Sequence, residues 1–384
     1  ENSARGEGGG MDNRYDSYPA VTNCTFSGNT ANTDGGGMYN RLGSTPTVSN
    51  CTFRDNSAIN GTGGGMFNFG NSNPVVSECI FSGNEAGSYG GGIYNTGSSP
   101  TVTNCIFNYN VAQSSSGGGI ANYSSSNSEI TNCKFTGNSA GGDGGGMRNW
   151  TSNPTVTNCT FSGNTATGYG GGMSNLDNSS PTVTNCIFNQ NIAYASGGGI
   201  ANYSSSNSEI TNCTFSGNHA ATYGSGIRNW DSSPTVTNCI LWDNEPNEIS
   251  SAGTSIPVVN YSDIQNGHNG TGNINVDPDF VDADNPDPNL VNLRLKPDSP
   301  CIDAGDTTSV PSDIFEDVDG NPRGLDEPAS PDTGISIFGV TVDMGAYEFQ
   351  LCRTPGDINC DGVVDFRDVA IICENWLAGI EPEL

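Results

Sequence analysis

Nine times between Gly8 and Asn244 the sequence writes one pattern: three small residues, almost always Gly-Gly-Gly, then Met or Ile, any residue, and Asn. A bridging stretch follows, and then Asn-Cys-x-Phe-x-x-Asn. Gly35-Gly36-Gly37-Met38-Tyr39-Asn40 leads in this way to Asn50-Cys51-Thr52-Phe53-Arg54-Asp55-Asn56. The cysteines of the pattern are Cys24, Cys51, Cys79, Cys105, Cys133, Cys159, Cys186, Cys213 and Cys239, so the period is 26 to 28 residues. A fixed period of that length without helical patterning marks a solenoid in which each repeat is one coil, because a single repeat is too thin to bury its own apolar face.

The residue types say which kind of coil. Short strands that stack on the coils above and below through parallel hydrogen bonds, about 4.8 Å apart, place equivalent residues in columns. The architecture expected is an all-β, right-handed parallel β-helix of about nine coils over 1–244. An Asp- and Pro-rich helix end and cap should follow over 245–350, and a short loop–helix tail over 351–384. Val48, Cys51, Phe53 and Met66 form one inward set. Phe holds its column in eight of nine copies, with Leu241 in the last, so ring should stack on ring. Three Asn columns, at Asn40, Asn50 and Asn56 in one coil, are each expected to hydrogen-bond along the axis, since an amide both donates and accepts and Asn tolerates left-handed bends. The glycines belong where φ is positive or backbone comes too close for a Cβ. Nine stacked thiols, odd in number, read as small buried hydrophobes rather than disulfides.

A longer period overlies the short one. GGGIANYSSSNSEITNC at 117–133 recurs unchanged at 197–213, and Arg148 and Trp150 return as Arg228 and Trp230 at the same offset. Such identity at outward positions is duplication, which lengthens a rod.

Charge divides the chain. Of 41 acids and 12 bases in all, fourteen acids and seven bases lie before Glu245, leaving 27 acids against five bases beyond it. No basic footprint for nucleic acid exists, and no apolar run long enough to span a membrane. Glu1-Asn2-Ser3-Ala4 aligns with Asp55-Asn56-Ser57-Ala58, so the sequence opens mid-coil, which suggests a raw edge that another copy could complete.

Phe-x-x-Asn together with Gly-Gly-Gly-Φ, seen as FSGN at 26–29, FRDN at 53–56, FNYN at 107–110 and GGGI at 90–93, resembles the repeat of polymorphic outer-membrane proteins. More broadly the chain resembles secreted bacterial right-handed parallel β-helix proteins. That resemblance covers about 240 residues and implies an extracellular or cell-surface location with an adhesive, structural or self-assembling role. DPDF at 277–280, SPCIDAGD at 299–306, DVDGNPR at 317–323 and DMGAYEF at 343–349 resemble the closing region of such proteins, read here as a cap over the last coil's edge.

The tail carries a sharper motif. Asp357, Asn359, Asp361, Val363 (through its carbonyl), Asp365 and Asp368 stand at the ligand positions of a calcium loop, with Gly362 at the sharp turn. Asp368 as closing residue resembles type I dockerin repeats, so Ca2+ is the expected cofactor; with one loop instead of two, binding to a cohesin or docking on the chain's own surface both stay open. Among Cys352, Cys360 and Cys373 one disulfide is plausible, with Cys301 a fourth candidate outside the ladder.

Catalysis is the less favoured reading. Glu7 and Asp34 are the single pair of acids in adjacent coils of one column, without a base in that column. Glu129 and Glu209 lie three coils apart, roughly 14 Å at the usual strand spacing. His219 has no Ser or Asp at a recognisable spacing. The expectation is therefore a non-catalytic structural or adhesive protein whose partner is its own kind or another surface protein, the alternative being a carbohydrate-active or carbohydrate-binding helix. Tyr39, Phe67, Tyr94, Trp150 and Trp230 fall on outward positions where they could stack on a glycan.

Overall fold

The computed structural model describes residues 1–324, 330–337 and 339–350. Four parallel sheets run the length of a rod. The wide sheet has four-residue strands, from Met11–Arg14 to Ile249–Ala252. A threonine-rich sheet runs from Ala20–Thr22 to Val258–Asn260, and a phenylalanine sheet from Thr25–Ser27 to Asp263–Ile264. A narrow sheet of two-residue strands runs from Ser3–Ala4 to His219–Ala220. The first three contain ten strands each and the narrow one nine, so the helix continues for a tenth turn past Asn244. Register is strict: Met66 pairs with Met38 and Ile93, and Phe81 with Phe53 and Phe107.

The expected inward columns form the core. Val48, Cys51, Phe53 and Met66 are all buried. A fifth column, of alanine (Ala31, Ala58, Ala86 onward), fills the narrow side, where a larger side chain has no room. The phenylalanine rings stack nearly parallel, with centroids 4.6 to 4.9 Å apart from Phe26 to Phe215. Both faces of each inner ring are therefore covered, which stabilises the stack by about 0.5–1.5 kcal/mol per ring pair beyond the area buried. The thiols are free, and the inner ones donate to a carbonyl two residues back, as Cys79 Sγ does to Ser77 O at 3.1 Å. Burial pushes the Cys51 and Cys133 thiols above their ordinary range.

Two of the three Asn columns are ladders. Asn13 to Asn229 on the wide sheet pass an Nδ2-to-Oδ1 bond from coil to coil at 2.7–3.0 Å. Asn29 to Asn244 do the same at 2.7–2.9 Å. The third column is different. Asn23, Asn50, Asn104 and their equivalents have φ of 51–55°, and Glu78 takes the same place at φ 53°. What the whole column shares is a left-handed bend, which Asn tolerates; the side chains of Asn50 and Asn104 face solvent, and only under the cap do the amides of Asn185 and Asn238 find partners, in Glu316 O and Asp306 O. The glycine triplet has both anticipated causes. Gly35 has φ +68°, and a Cβ on Gly36 would meet Gly64 O at 2.4 Å.

The C-terminal segment departs from expectation in where it sits. Residues 265–276 follow the rim of the last turn, where Asp263 bridges Ile274. The segment beyond, which includes the antiparallel pair Phe280–Asp282 and Asn292–Leu295, folds back along the flank of the phenylalanine sheet. Outward Ile187 and Ile240 become part of a second core with Phe280, Leu293, Leu295, Cys301, Met344 and Ala346. In that outward column Ile80, beyond the reach of the cap, is 39% exposed and Ile240 only 1%, so each covered isoleucine stabilises the docking by about 1.5–3 kcal/mol. Polar contacts fix the position. Arg323 Nε donates to Asn185 Oδ1 at 3.1 Å, Nη1 to Glu348 Oε2 at 3.3 Å, and Nη2 to Ala346 O at 2.8 Å. Ala346 N donates to Thr214 Oγ1 at 2.9 Å. The cap is a flank plate more than an end plug.

Candidate functional site

Strand geometry sends alternate side chains to opposite faces, so each strand of the wide sheet shows two residues outward. One outward column reads Tyr39, Phe67, Tyr94, Ala121, Arg148 and onward to Arg228; the other reads Arg41, Phe69, Thr96, Tyr123, Trp150 and onward to Trp230. Inward positions repeat with little change and the threonine sheet mostly repeats Thr on its outer face, whereas the outward columns of the wide sheet carry rings and arginines on successive strands.

The rings there form a continuous surface. Tyr39 stands 5.1 Å from Phe67, Phe67 5.2 Å from Tyr94, Tyr94 5.5 Å from Tyr123, and Tyr123 5.6 Å from Trp150. Tyr89, from the loop that precedes the glycine triplet, adds a side wall 4.9 Å from Tyr123. A second patch pairs Tyr169 with Tyr203 at 4.5 Å. Burial pushes the hydroxyl of Tyr94 up to about 12 and raises that of Tyr203, with nearby Arg228 opposing the rise at Tyr203.

Of the five aromatic residues singled out from sequence, the structure leaves Trp230 exposed and Tyr94 and Trp150 half-buried. Tyr39 and Phe67 are only 5% and 6% exposed, which corrects their reading as ring platforms. Neighbouring rings and the bridging loop cover them, so they support the face rather than present it. Phe69, Tyr169 and Tyr223 are exposed instead. Tyr169 and Tyr223 were missed because they stand just before the glycine triplet, where spacing alone does not show that the loop turns back beside the sheet.

Arginines lie among the rings. Arg148 sits 5.3 Å from the Trp150 centroid and Arg228 5.4 Å from that of Trp230, a favourable contact between cation and ring face. Arg148 Nη1 donates to Asp143 Oδ2 at 2.9 Å and to Ser174 Oγ at 2.7 Å.

Of the acids weighed for catalysis, Glu7 and Asp34 already have partners. Glu7 Oε2 lies 3.3 Å from Arg14, while Asp34 Oδ1 accepts from Thr62 N at 2.9 Å and Thr62 Oγ1 at 2.8 Å. Glu129 and Glu209 are exposed on the threonine sheet, and His219 is exposed on the narrow sheet. Between the phenylalanine sheet and the cap runs a cleft of about 510 Å3, lined by Lys134, Asn158 and Asn189 on one side and Arg294, Asp319 and Tyr347 on the other. Arg294 is paired to Asp319 at 2.6 Å and lies 5.1 Å from the Tyr347 centroid, so its charge is already met. Burial raises the Asp319 carboxyl in spite of that arginine.

Among the described residues no group of three His, Cys, Asp or Glu gathers as metal ligands would. The calcium-loop residues Asp357 to Asp368, and Cys352, Cys360 and Cys373, lie outside the described residues. No helix among the described residues is long and apolar enough to cross a membrane. In comparisons with known proteins, the family model for the right handed beta helix region matches residues 1–127 and 88–233. No curated protein matches the chain.

Proposed function

Since the chain belongs to the right-handed β-helix family, we propose that it is a non-catalytic adhesin-like rod of the cell exterior whose wide sheet binds an extended glycan along the helix axis. One observation carries this reading: aromatic rings and arginines of successive coils pack against one another along the outer face of the wide sheet. Each rung advances about 4.8 Å, close to the advance of one ring in an extended pyranose chain. A glycan lying along the axis would thus meet one pair of outward side chains per sugar. Trp230, Trp150, Tyr94 and Phe69 offer ring faces for stacking, and Tyr39 and Phe67 hold them from beneath. Such stacking suits a polymer, where modest contacts repeat and add. The occupied carboxylates Glu7 and Asp34 favour binding over bond cleavage. In the same proposal the loop from Asp357 to Asp368 holds Ca2+ through side-chain oxygens and the Val363 carbonyl.

The test is retention of the full chain on a glycan array, together with a turnover assay on polyuronates and neutral polysaccharides. Retention without turnover is the expected result, and Trp150→Ala with Trp230→Ala should lower it. Turnover abolished by Glu7→Gln or Asp34→Asn would replace the proposal with an enzyme, and a full chain that retains no glycan would end it.

A further inference from the structure

The duplication carries its own comparison. Arg148 and Arg228 are equivalent positions in the duplicated coils, as are Trp150 and Trp230, but Asp143 in the first copy is matched by Tyr223 in the second. Both arginines are nearly enclosed, Arg148 at 2% and Arg228 at 5% exposure. In the first copy Asp143 neutralises the guanidinium at 2.9 Å. In the second, no carboxylate of the described residues lies within ion-pair distance of Arg228.

What surrounds Arg228 is aromatic and neutral. The guanidinium lies 5.2 Å from the Tyr223 centroid and 5.4 Å from that of Trp230. Nη1 donates to Ser250 Oγ at 2.8 Å, the Tyr203 hydroxyl lies near the guanidinium, and Nε is buried without a partner, as Nε of Arg148 is too. The acids on the flanking segments are turned to other work: Asp231 accepts from Thr254 N at 2.8 Å, and Glu248 accepts from Asn244 N at 3.1 Å. An enclosed cation with no counter-charge is costly to a fold, because ring faces and neutral hydroxyls do not replace lost hydration. The arrangement becomes favourable when an anion arrives, since a guanidinium presents a planar fork that fits carboxylate and sulfate. Tyr223 and Trp230, 56% and 46% exposed, flank that fork as platforms for the sugar ring that bears the anion.

We infer that Arg228, between Tyr223 and Trp230, forms a subsite for an acidic pyranose, a uronic acid or a sulfated sugar. This rests on the glycan-binding reading of the wide sheet and adds the charge of the ligand. The Arg148 copy, already neutralised by Asp143, takes no anion.

The experiment uses the full chain and Trp fluorescence or calorimetric titration with tetragalacturonate, a heparin-derived tetrasaccharide and cellotetraose. One of the two acidic probes should bind at least tenfold tighter than cellotetraose and weaken as salt rises; which of them does so separates carboxylate from sulfate recognition. Tyr223→Asp, which copies a neighbour the duplicated coil already accommodates, should lower acidic binding at least tenfold, as should Arg228→Gln. The reverse exchange, Asp143→Tyr, should add a second acidic site. If cellotetraose binds as well as the acidic probes, or if Tyr223→Asp leaves acidic affinity unchanged, the subsite is refuted while the glycan-binding face stands. If no oligosaccharide binds, both fall. Binding of poly-glutamate in place of any sugar would assign the site to an acidic protein partner and overturn the inference.

Discussion

Asn110→Ala and Asn104→Ala remove the same side chain from one coil, six residues apart, yet they should differ several-fold in cost. Asn110 is fully buried and uses all its valences. Its Nδ2 donates to Phe81 O and Asn138 Oδ1, both at 2.9 Å, and its Oδ1 accepts from Asn84 N at 3.1 Å and Asn84 Nδ2 at 2.9 Å. Alanine leaves the Asn84 amide N–H and one Nδ2 hydrogen without an acceptor where water does not reach. At about 1–3 kcal/mol for each orphaned donor, the loss is about 4 kcal/mol. Asn104 is exposed at φ 55°, so its replacement only places alanine in a left-handed bend, at about 1 kcal/mol. Because a solenoid can open locally, the readout is the denaturant midpoint together with hydrogen exchange at the Asn84 amide. Exchange there should rise sharply in Asn110→Ala and stay unchanged in Asn104→Ala. Equal destabilisation by the two, or an Asn84 amide still protected in Asn110→Ala, would refute the distinction between ladder and bend.

Thiol labelling gives a second check: in native protein Cys24, which is exposed, should react promptly, and Cys51 to Cys239 only on unfolding. Burial pushes the Glu248 carboxyl up to about 8. Its folded pKa is above the unfolded value of roughly 4.3, so the stabilisation it contributes is complete below that value and is lost as pH rises through 8, at about 1.4 kcal/mol per pH unit between the two. Urea midpoints measured from pH 6 to 9 should therefore fall more steeply in wild type than in Glu248→Gln, and parallel curves would remove the argument. For the tail, calorimetric titration should show Ca2+ binding that Asp357→Ala with Asp368→Ala abolishes; unchanged binding would exclude that loop.

The core could be read from sequence because a parallel stack repeats its environment at every coil, so Val48, Cys51, Phe53 and Met66 betray themselves by recurrence. Recurrence does not distinguish causes. Asn50 and Asn56 recur equally well, one for its backbone and one for its amide, and only the structure separates them. Outward positions follow a weaker rule. Tyr39 and Phe67 alternate outward correctly, but their exposure depends on a bridging loop whose path no spacing records. The flank position of the cap was hidden for a related reason, since Pro- and Asp-rich turns carry no periodicity and the matching apolar positions, Ile187 and Ile240, share their column with Ile80 and Ile106, from which sequence does not distinguish them. Arg228 was visible as a residue and invisible as a site. Its meaning lies in the exchange of Asp143 for Tyr223, and that matters only once both are known to face an enclosed guanidinium.

Both amide ladders run one way: each Oδ1 accepts from the coil before it and one Nδ2–H donates to the coil after it, the last ones reaching Ser251 and the Glu248 carboxyl. Peptide dipoles in a sheet largely cancel, but these side-chain dipoles add, and the rod acquires a positive pole at one end as a helix does at its N-terminus. The two ends of the rod are therefore unlike, and anything that meets it end-on meets a directed object.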